Sequence, residues 1–152
     1  MLISLRVNGE EVAAAIEPEE VLLDLLRDRR GLTGAKRSCD VQVCGACTVL
    51  LDGEPVSACC TLAWEARRRD VLTIEGFAAR PEFAAFEDAF TRHAALQCGF
   101  CTPGLVLTVK ALLDKGVLPV DDEGIKRALA GNLCRCTGYR SIVEAVRELA
   151  AR

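Results

Sequence analysis

The sequence predicts an α+β protein, with a small mixed sheet in its first half and helices in its second. Three observations predict it. Before Gly76 the apolar residues alternate in short runs separated by turn signals. After Gly76 they recur at helical spacing. Eight of the nine cysteines fall into two sets of four, placed in loops or where elements begin.

Leu2 to Val7 alternates apolar and polar residues, Asn8-Gly9 is a hairpin turn, and Val12 to Ile16 supplies the return strand. Pro18 and the run Val21 to Arg27 read as a short amphipathic helix that stops near Gly31. Thr33 to Cys47 has no period and is rich in Gly, Ser and Cys, so it is a loop. Thr48 to Leu51 is a strand, Asp52-Gly53 a turn and Pro55 to Ala58 its partner, with Val71 to Ile74 as one more short strand. Gly76 to Pro81 reads as a short linker, so the two halves pack together. Helices are expected at Glu82 to His93, Gly104 to Lys115, Asp121 to Ala130 and Ser141 to Ala151. Two of them open alike. Thr102 caps a helix with Pro103 at its first position, and Cys136-Thr137 repeats that start, which gives a weak internal two-fold.

Composition narrows the classes. The chain has 152 residues, enough for one large domain or two small ones, and halves this small often depend on metal for stability. It is 51% hydrophobic and 27% charged, as ordinary globular proteins are. A net charge of −3 gives no support to nucleic-acid binding, and Arg67-Arg68-Arg69 reads as a solvated loop or helix end. No apolar run approaches the roughly 18 residues that span a bilayer. The first residues read as a strand rather than a signal peptide. Nine cysteines without an export signal point to reduced thiolates and metal rather than disulfides.

The first cysteine set is Cys39-x4-Cys44-x2-Cys47, with a further cysteine after eleven intervening residues. This is the plant-type ferredoxin spacing, whose four thiolates ligate a 2Fe–2S cluster. Gly45 and Ala46, between two ligands, let the backbone approach a cluster and aim its N–H groups inward. A four-thiolate zinc site is the alternative, but zinc favours two close pairs, whereas here three ligands share one loop. The fourth ligand is Cys59 or Cys60. Neighbours on a strand point to opposite faces, so only one can face the cluster. The other is then a small buried hydrophobe.

The second set is Cys98-x2-Cys101, thirty-two residues, then Cys134-x-Cys136. Each pair precedes a helix, whose positive end favours thiolates. This spacing alone admits a cluster, a zinc ion or a redox dithiol.

The strings Cys44-Gly45-Ala46-Cys47-Thr48-Val49, Asp52-Gly53, Gln97-Cys98-Gly99-Phe100-Cys101-Thr102-Pro103-Gly104 and Gly131-Asn132-Leu133-Cys134-Arg135-Cys136-Thr137-Gly138-Tyr139 resemble the iron–sulfur subunit of the molybdenum hydroxylases. That family includes xanthine dehydrogenase, aldehyde oxidoreductase and carbon monoxide dehydrogenase. The resemblance covers essentially the whole chain. It implies an N-terminal β-grasp 2Fe–2S ferredoxin-like domain, residues 1–76, followed by an all-α four-helix 2Fe–2S domain, residues 77–152. It implies that Cys39, Cys44, Cys47 and Cys59 bind the cluster nearest FAD, and that Cys98, Cys101, Cys134 and Cys136 bind the one nearest molybdenum. The resemblance further implies that Gln97 hydrogen-bonds a molybdopterin and that Gly45 and Ala46 face a flavin subunit. The implied partners are a large molybdopterin-binding subunit and a medium FAD-binding subunit, as a dimer of heterotrimers in the cytoplasm. Electrons would pass from molybdenum through both clusters to FAD. A free-standing two-cluster ferredoxin is the rival reading, and a zinc-stabilised interaction module a second. Cys60 departs from the family, where an apolar residue is expected.

The remaining residues have quieter readings. His93 ends a helix and faces solvent or the helix dipole. Trp64 is packing or interface, and Tyr139 shields the second cysteine set. There is no Ser-His-Asp set, phosphate loop or HExxH, so this chain carries no substrate chemistry of its own.

Overall fold

A computed structural model describes residues 1–152. Strands β1 (Leu2–Val7) and β2 (Glu10–Ala15) form an antiparallel hairpin, with Val7 opposite Glu10 and Leu2 opposite Ala15. Its two-residue turn puts both Asn8 and Gly9 at positive φ, the conformation that matches strand twist. Ile3, Leu5 and Val7 are buried and their neighbours are exposed, as a period of two requires. A second hairpin joins β3 (Thr48–Leu51) to β4 (Glu54–Ser57) through Asp52-Gly53, again both at positive φ.

Strand β5 (Asp70–Leu72) lies between the hairpins, parallel to β1 and antiparallel to β3. The five-stranded order is β2-β1-β5-β3-β4. All four β3 residues are buried because both faces of that strand are covered. Val49 and Leu51 join the first core, and Leu50 joins the second.

Helix α1 (Leu22–Asp24) continues as a π-helical turn, Leu25–Arg29. Its Leu22, Leu23, Leu25 and Leu26 fill the first core. The helix stops where expected: Gly31 has φ +67, and Leu32 N–H donates back to the Leu26 carbonyl, as in a glycine-terminated helix end.

The expected strand Val71 to Ile74 and linker Gly76 to Pro81 need correction. Thr73 leaves the sheet, its N–H donating to Asn8 Oδ1 at 2.9 Å. Ile74 then begins helix α2 (Ile74–Ala78). Phe77 is fully buried and packs edge-on against Phe83 and Phe86, with ring centroids 5.4 and 5.0 Å away. This segment is therefore a packed hinge between the halves.

Helices α3 (Phe83–Arg92), α4 (Thr102–Asp114), α5 (Asp122–Ala128) and α6 (Arg140–Ala150) lie within one or two residues of their expected bounds. Asp121 caps α5 by accepting from Gly124 N–H at 2.8 Å. Helix α4 packs on β3 and β4, while α6 packs on α3 and α5. His93 closes α3 half-buried, with Nε2 2.9 Å from Glu148 Oε2 on α6. No helix is long and apolar enough to cross a membrane. The arginine run is tied down: Arg67 stacks 4.0 Å over the Trp64 ring, Arg68 N–H donates to Ser4, and Arg69 pairs with Asp52.

Glu75 fastens the hinge to the cysteine loop. Its carboxylate accepts from Gly34 N–H at 2.8 Å and from the Thr73 hydroxyl at 2.6 Å. Burial opposes the charge, but these hydrogen bonds outweigh it and hold the carboxyl below its ordinary value of 4.5. A depressed carboxyl stabilises the fold fully above its unfolded value, and that contribution is lost as pH falls through the folded value. Glu75→Gln should lower stability at neutral pH by about 1–2 kcal/mol and flatten the acid loss below about pH 4.5. Denaturant midpoints against pH measure this; parallel curves for variant and parent would contradict it.

Candidate metal centres

The loop between α1 and β3 curls because Asp40, Gln42 and Gly45 all have positive φ, between 54° and 68°. Such turns aim successive N–H groups inward. Val43 N–H and Cys44 N–H both donate to Cys39 Sγ at 3.4 Å. The loop is anchored from α1. Arg27 donates to the Thr33 and Ala35 carbonyls at 2.9 and 2.7 Å, and Arg37 bridges Asp24 and Asp40. Lys36 N–H donates to the Ala46 carbonyl at 2.9 Å and closes the loop's neck.

Four thiols meet here as two pairs, Cys39 with Cys44 and Cys47 with Cys59. The N–H groups of Val41, Cys44 and Val43 pull Cys39 down to about 6, which favours its thiolate form. Burial pushes Cys47 up to about 12, so it keeps its proton until a cation displaces it.

Cys60 is exposed rather than a buried hydrophobe. Residues 58–60 form a turn, not a strand, so the rule of opposite faces does not apply. Ser57 O accepts from Cys60 N–H at 2.9 Å and Thr61 N–H at 3.1 Å, and the turn brings Cys60 Sγ to 3.6 Å from Cys59 Sγ. Cys59 is the buried member, in contact with Cys47.

The second set also stands as two pairs, one from each loop. Cys136 Sγ lies 3.5 Å from Cys98 Sγ, and Cys101 touches Cys134. All four thiols line one cavity of about 440 Å³. Cys101, not Thr102, is the N-cap residue of α4, with Pro103 in the first turn. Thr137 is not a cap either. Helix α6 starts at Arg140 after Tyr139 at φ 69°, and the Thr137 hydroxyl sits 3.1 Å from Cys134 Sγ. Of the two helices that follow the cysteine pairs, only α4 has a cysteine at its cap. Phe100 N–H pulls Cys98 below the usual thiol value, while burial pushes Cys101 up to about 12.

Tyr139 is a clamp as well as a shield. Its hydroxyl accepts from Cys134 N–H and donates to the Asn132 carbonyl, both at 2.9 Å. Gln97 is exposed, one residue before Cys98, where a partner could reach it.

The two sites touch. Leu133 N–H donates to the Cys44 carbonyl at 2.8 Å, so the backbone of one cysteine loop is bonded to the backbone beside Cys134. Cys44 and Ala46 also line the cavity of the second set. Gly45 is buried in this seam. Its carbonyl accepts from the Thr48 hydroxyl at 2.8 Å and from Asn132 Nδ2 at 3.3 Å. A Cβ on Gly45 would overlap the Gly131 carbonyl and lie 2.5 Å from Asn132 Nδ2, and one on Gly104 would overlap the Gly45 carbonyl. Gly45 and Ala46 are buried in this chain, against the helical half. Among the loop's apolar residues, Val41 and Val43 face outward, 65% and 56% exposed. Sequence reasoning missed Asn132, 4% exposed, and the role of Gly104. The Gly131-Asn132 pair just ahead of Cys134 was the available signal.

Both donor sets fit a two-iron cluster. Two thiolates on one tetrahedral metal with bonds of about 2.3 Å lie roughly 3.8 Å apart, close to the 3.5 Å between Cys98 and Cys136. Four thiols meeting in two pairs suit two irons better than one zinc. The fold and its sites define a two-centre iron–sulfur protein that moves electrons.

Comparison with known proteins agrees. Residues 5–73 match the 2Fe-2S iron-sulfur cluster binding domain, and residues 73–147 the 2Fe-2S binding domain of a second family. The nicotinate dehydrogenase small FeS subunit of Eubacterium barkeri is 49% identical over 145 residues, 95% of this chain and 92% of that protein. The structure of quinoline 2-oxidoreductase from Pseudomonas putida 86 superposes with a TM-score of 0.91 at 42% identity, covering 99% of this chain and 92% of that one. Aldehyde oxidoreductase from Desulfovibrio gigas gives 0.89 at 39% identity, with this chain matching 17% of that longer one. The chain belongs to the small iron–sulfur subunits of the molybdenum hydroxylase family, and its role is electron transfer within an oxidoreductase.

Gly45→Ala should cost at least about 2 kcal/mol, from left-handed backbone plus overlap across the seam, and should loosen the second thiol set with the first. Denaturation midpoints and iron retention read this. Parental stability with full iron content would show that the seam is not tight.

Proposed function

We propose that this chain is the wiring between a large molybdopterin-binding subunit and a medium FAD-binding subunit. The observations that carry the proposal are the hydrogen bonds from Leu133 N–H to Cys44 and from Asn132 Nδ2 to Gly45, which join two four-thiol sites. Residues 1–76 form a β-grasp ferredoxin-like domain, and residues 77–152 a four-helix domain that begins at the buried Phe77. Cys39, Cys44, Cys47 and Cys59 would hold one 2Fe–2S cluster, and Cys98, Cys101, Cys134 and Cys136 the other. When bound, each cluster supplies a one-electron redox centre, and together they link molybdenum to FAD.

The chain's own residues set the conditions. The N–H groups that bond Cys39 stabilise negative charge at the first site. The Tyr139 clamp fixes the Cys134 backbone, and the apolar walls Phe100 and Leu133 limit water at the second site. Gln97 would hydrogen-bond a pterin on the large subunit, donating and accepting at once. Phe100 and Leu133 are 44% and 52% exposed on that side, and Val41 and Val43 on the first loop take the flavin-facing role. Apolar exposure at both sites favours permanent partners over a free-standing ferredoxin. A dimer of heterotrimers in the cytoplasm completes the assembly, in a reducing compartment that suits nine unpaired thiols.

The native complex tests this reading: about four irons per chain with one molybdenum and one FAD are expected. Iron without molybdenum or flavin would favour the free-standing carrier. Cys47→Ser should abolish reduction of FAD yet leave the second cluster's signal, and loss of both signals would contradict independent sites. Gln97→Ala should change the molybdenum spectrum with both clusters intact. An unchanged molybdenum spectrum would remove the pterin contact.

A further inference from the structure

Five thiols, not four, gather at the first loop. Cys60 Sγ lies 3.6 Å from Cys59 Sγ and 3.7 Å from the Asp40 carbonyl, against the loop that carries Cys39 and Cys44. We infer that Cys60 is a reserve iron ligand of the first centre, able to take the place of Cys59. The inference rests on the two-cluster reading above.

Three features of the turn support it. The 3.6 Å separation is about the edge of a tetrahedral metal site, roughly 3.8 Å, so the second thiol already stands within one ligand spacing of the first. Cys60 is exposed, so no packing resists rotation about its χ1, whereas Cys59 is 7% exposed and locked into the first core. The backbone beneath is fixed. Ser57 O accepts from Cys60 N–H, Thr61 N–H and the Thr61 hydroxyl, at 2.9, 3.1 and 3.1 Å. The side chain can therefore swing without unfolding the turn. In the exchange, an iron–Sγ bond to Cys60 forms as that to Cys59 breaks. The Cys60 proton passes to the departing Cys59 sulfur, and no electron changes hands. A cluster held by Cys60 would be more exposed to water, and exposure shifts cluster potentials.

Three variants of the complex test the inference: Cys59→Ala, Cys60→Ala and the double substitution, each assayed for iron, inorganic sulfide and the reduced-state EPR spectrum. Parent and Cys60→Ala should hold about four irons per chain with the same spectrum. Cys59→Ala should keep about four irons with an altered first-cluster signal, and the double variant should fall to about two with the second-cluster signal unchanged. A fall to about two irons in Cys59→Ala alone would overturn the reserve role, and so would the same fall in Cys60→Ala, which would make Cys60 the standing ligand. Should Cys59→Ala not assemble, Cys59→Ser with and without Cys60→Ala makes the comparison, and identical spectra from that pair would overturn the inference. Failure of the cluster reading is separate: the parent itself would lack iron and sulfide.

Discussion

The contact between Gly45 and the Gly104, Gly131 and Asn132 backbone region is the constraint on which the rest depends. Two loops, each carrying thiols, must approach until their main chains bond directly. Side chains would hold them apart, so glycine stands where carbonyl oxygens press closest. Gly45 adds a left-handed φ, which turns its carbonyl toward Thr48 and Asn132 while Cys44 and Cys47 stay on the cluster side. The same seam lets a Cys44 carbonyl reach Leu133. Electron relay between two centres follows from a packing solution in which the two thiol-bearing loops bond main chain to main chain.

The two halves meet this constraint in different ways. The sheet half supplies a loop held in shape by polar contacts, with Arg27, Arg37 and Glu75 each bonded to it. The helical half supplies a rigid platform, since α4 is buried on nearly every side and carries Cys101 at its start. Leu50 and Phe77 bind the platform to the sheet, one from the middle of β3 and one from the hinge. The first site is thus fixed in its backbone and keeps Cys47 and Cys59 buried while Cys60 stays exposed, which is what the Cys59–Cys60 turn exploits.

Much of this was legible in the sequence. Both hairpin turns, β1, β3 and the four later helices follow from apolar period and turn residues alone, because those signals are local. The cysteine spacing located both sites for the same reason. The misreadings share another cause. Ile74 leaves the strand because Asn8, far away in sequence, captures Thr73 N–H. Cys60 is exposed because Ser57 O gathers three donors into a turn. Gly45 faces Asn132 because the halves dock there, and no local pattern states which face of a loop a distant segment will cover. The ligand types were readable, but their neighbours across the seam were not.

The central claim is that the seam brings the two centres into direct communication. EPR of the fully reduced complex, recorded for each cluster alone and for both together, tests it most directly. The account predicts that the signals of the two reduced clusters split or relax faster in one another's presence. It also predicts that this interaction weakens when Gly104 is replaced by a larger residue. Two signals that add as independent spectra, unaffected by the state of the other centre, would contradict it.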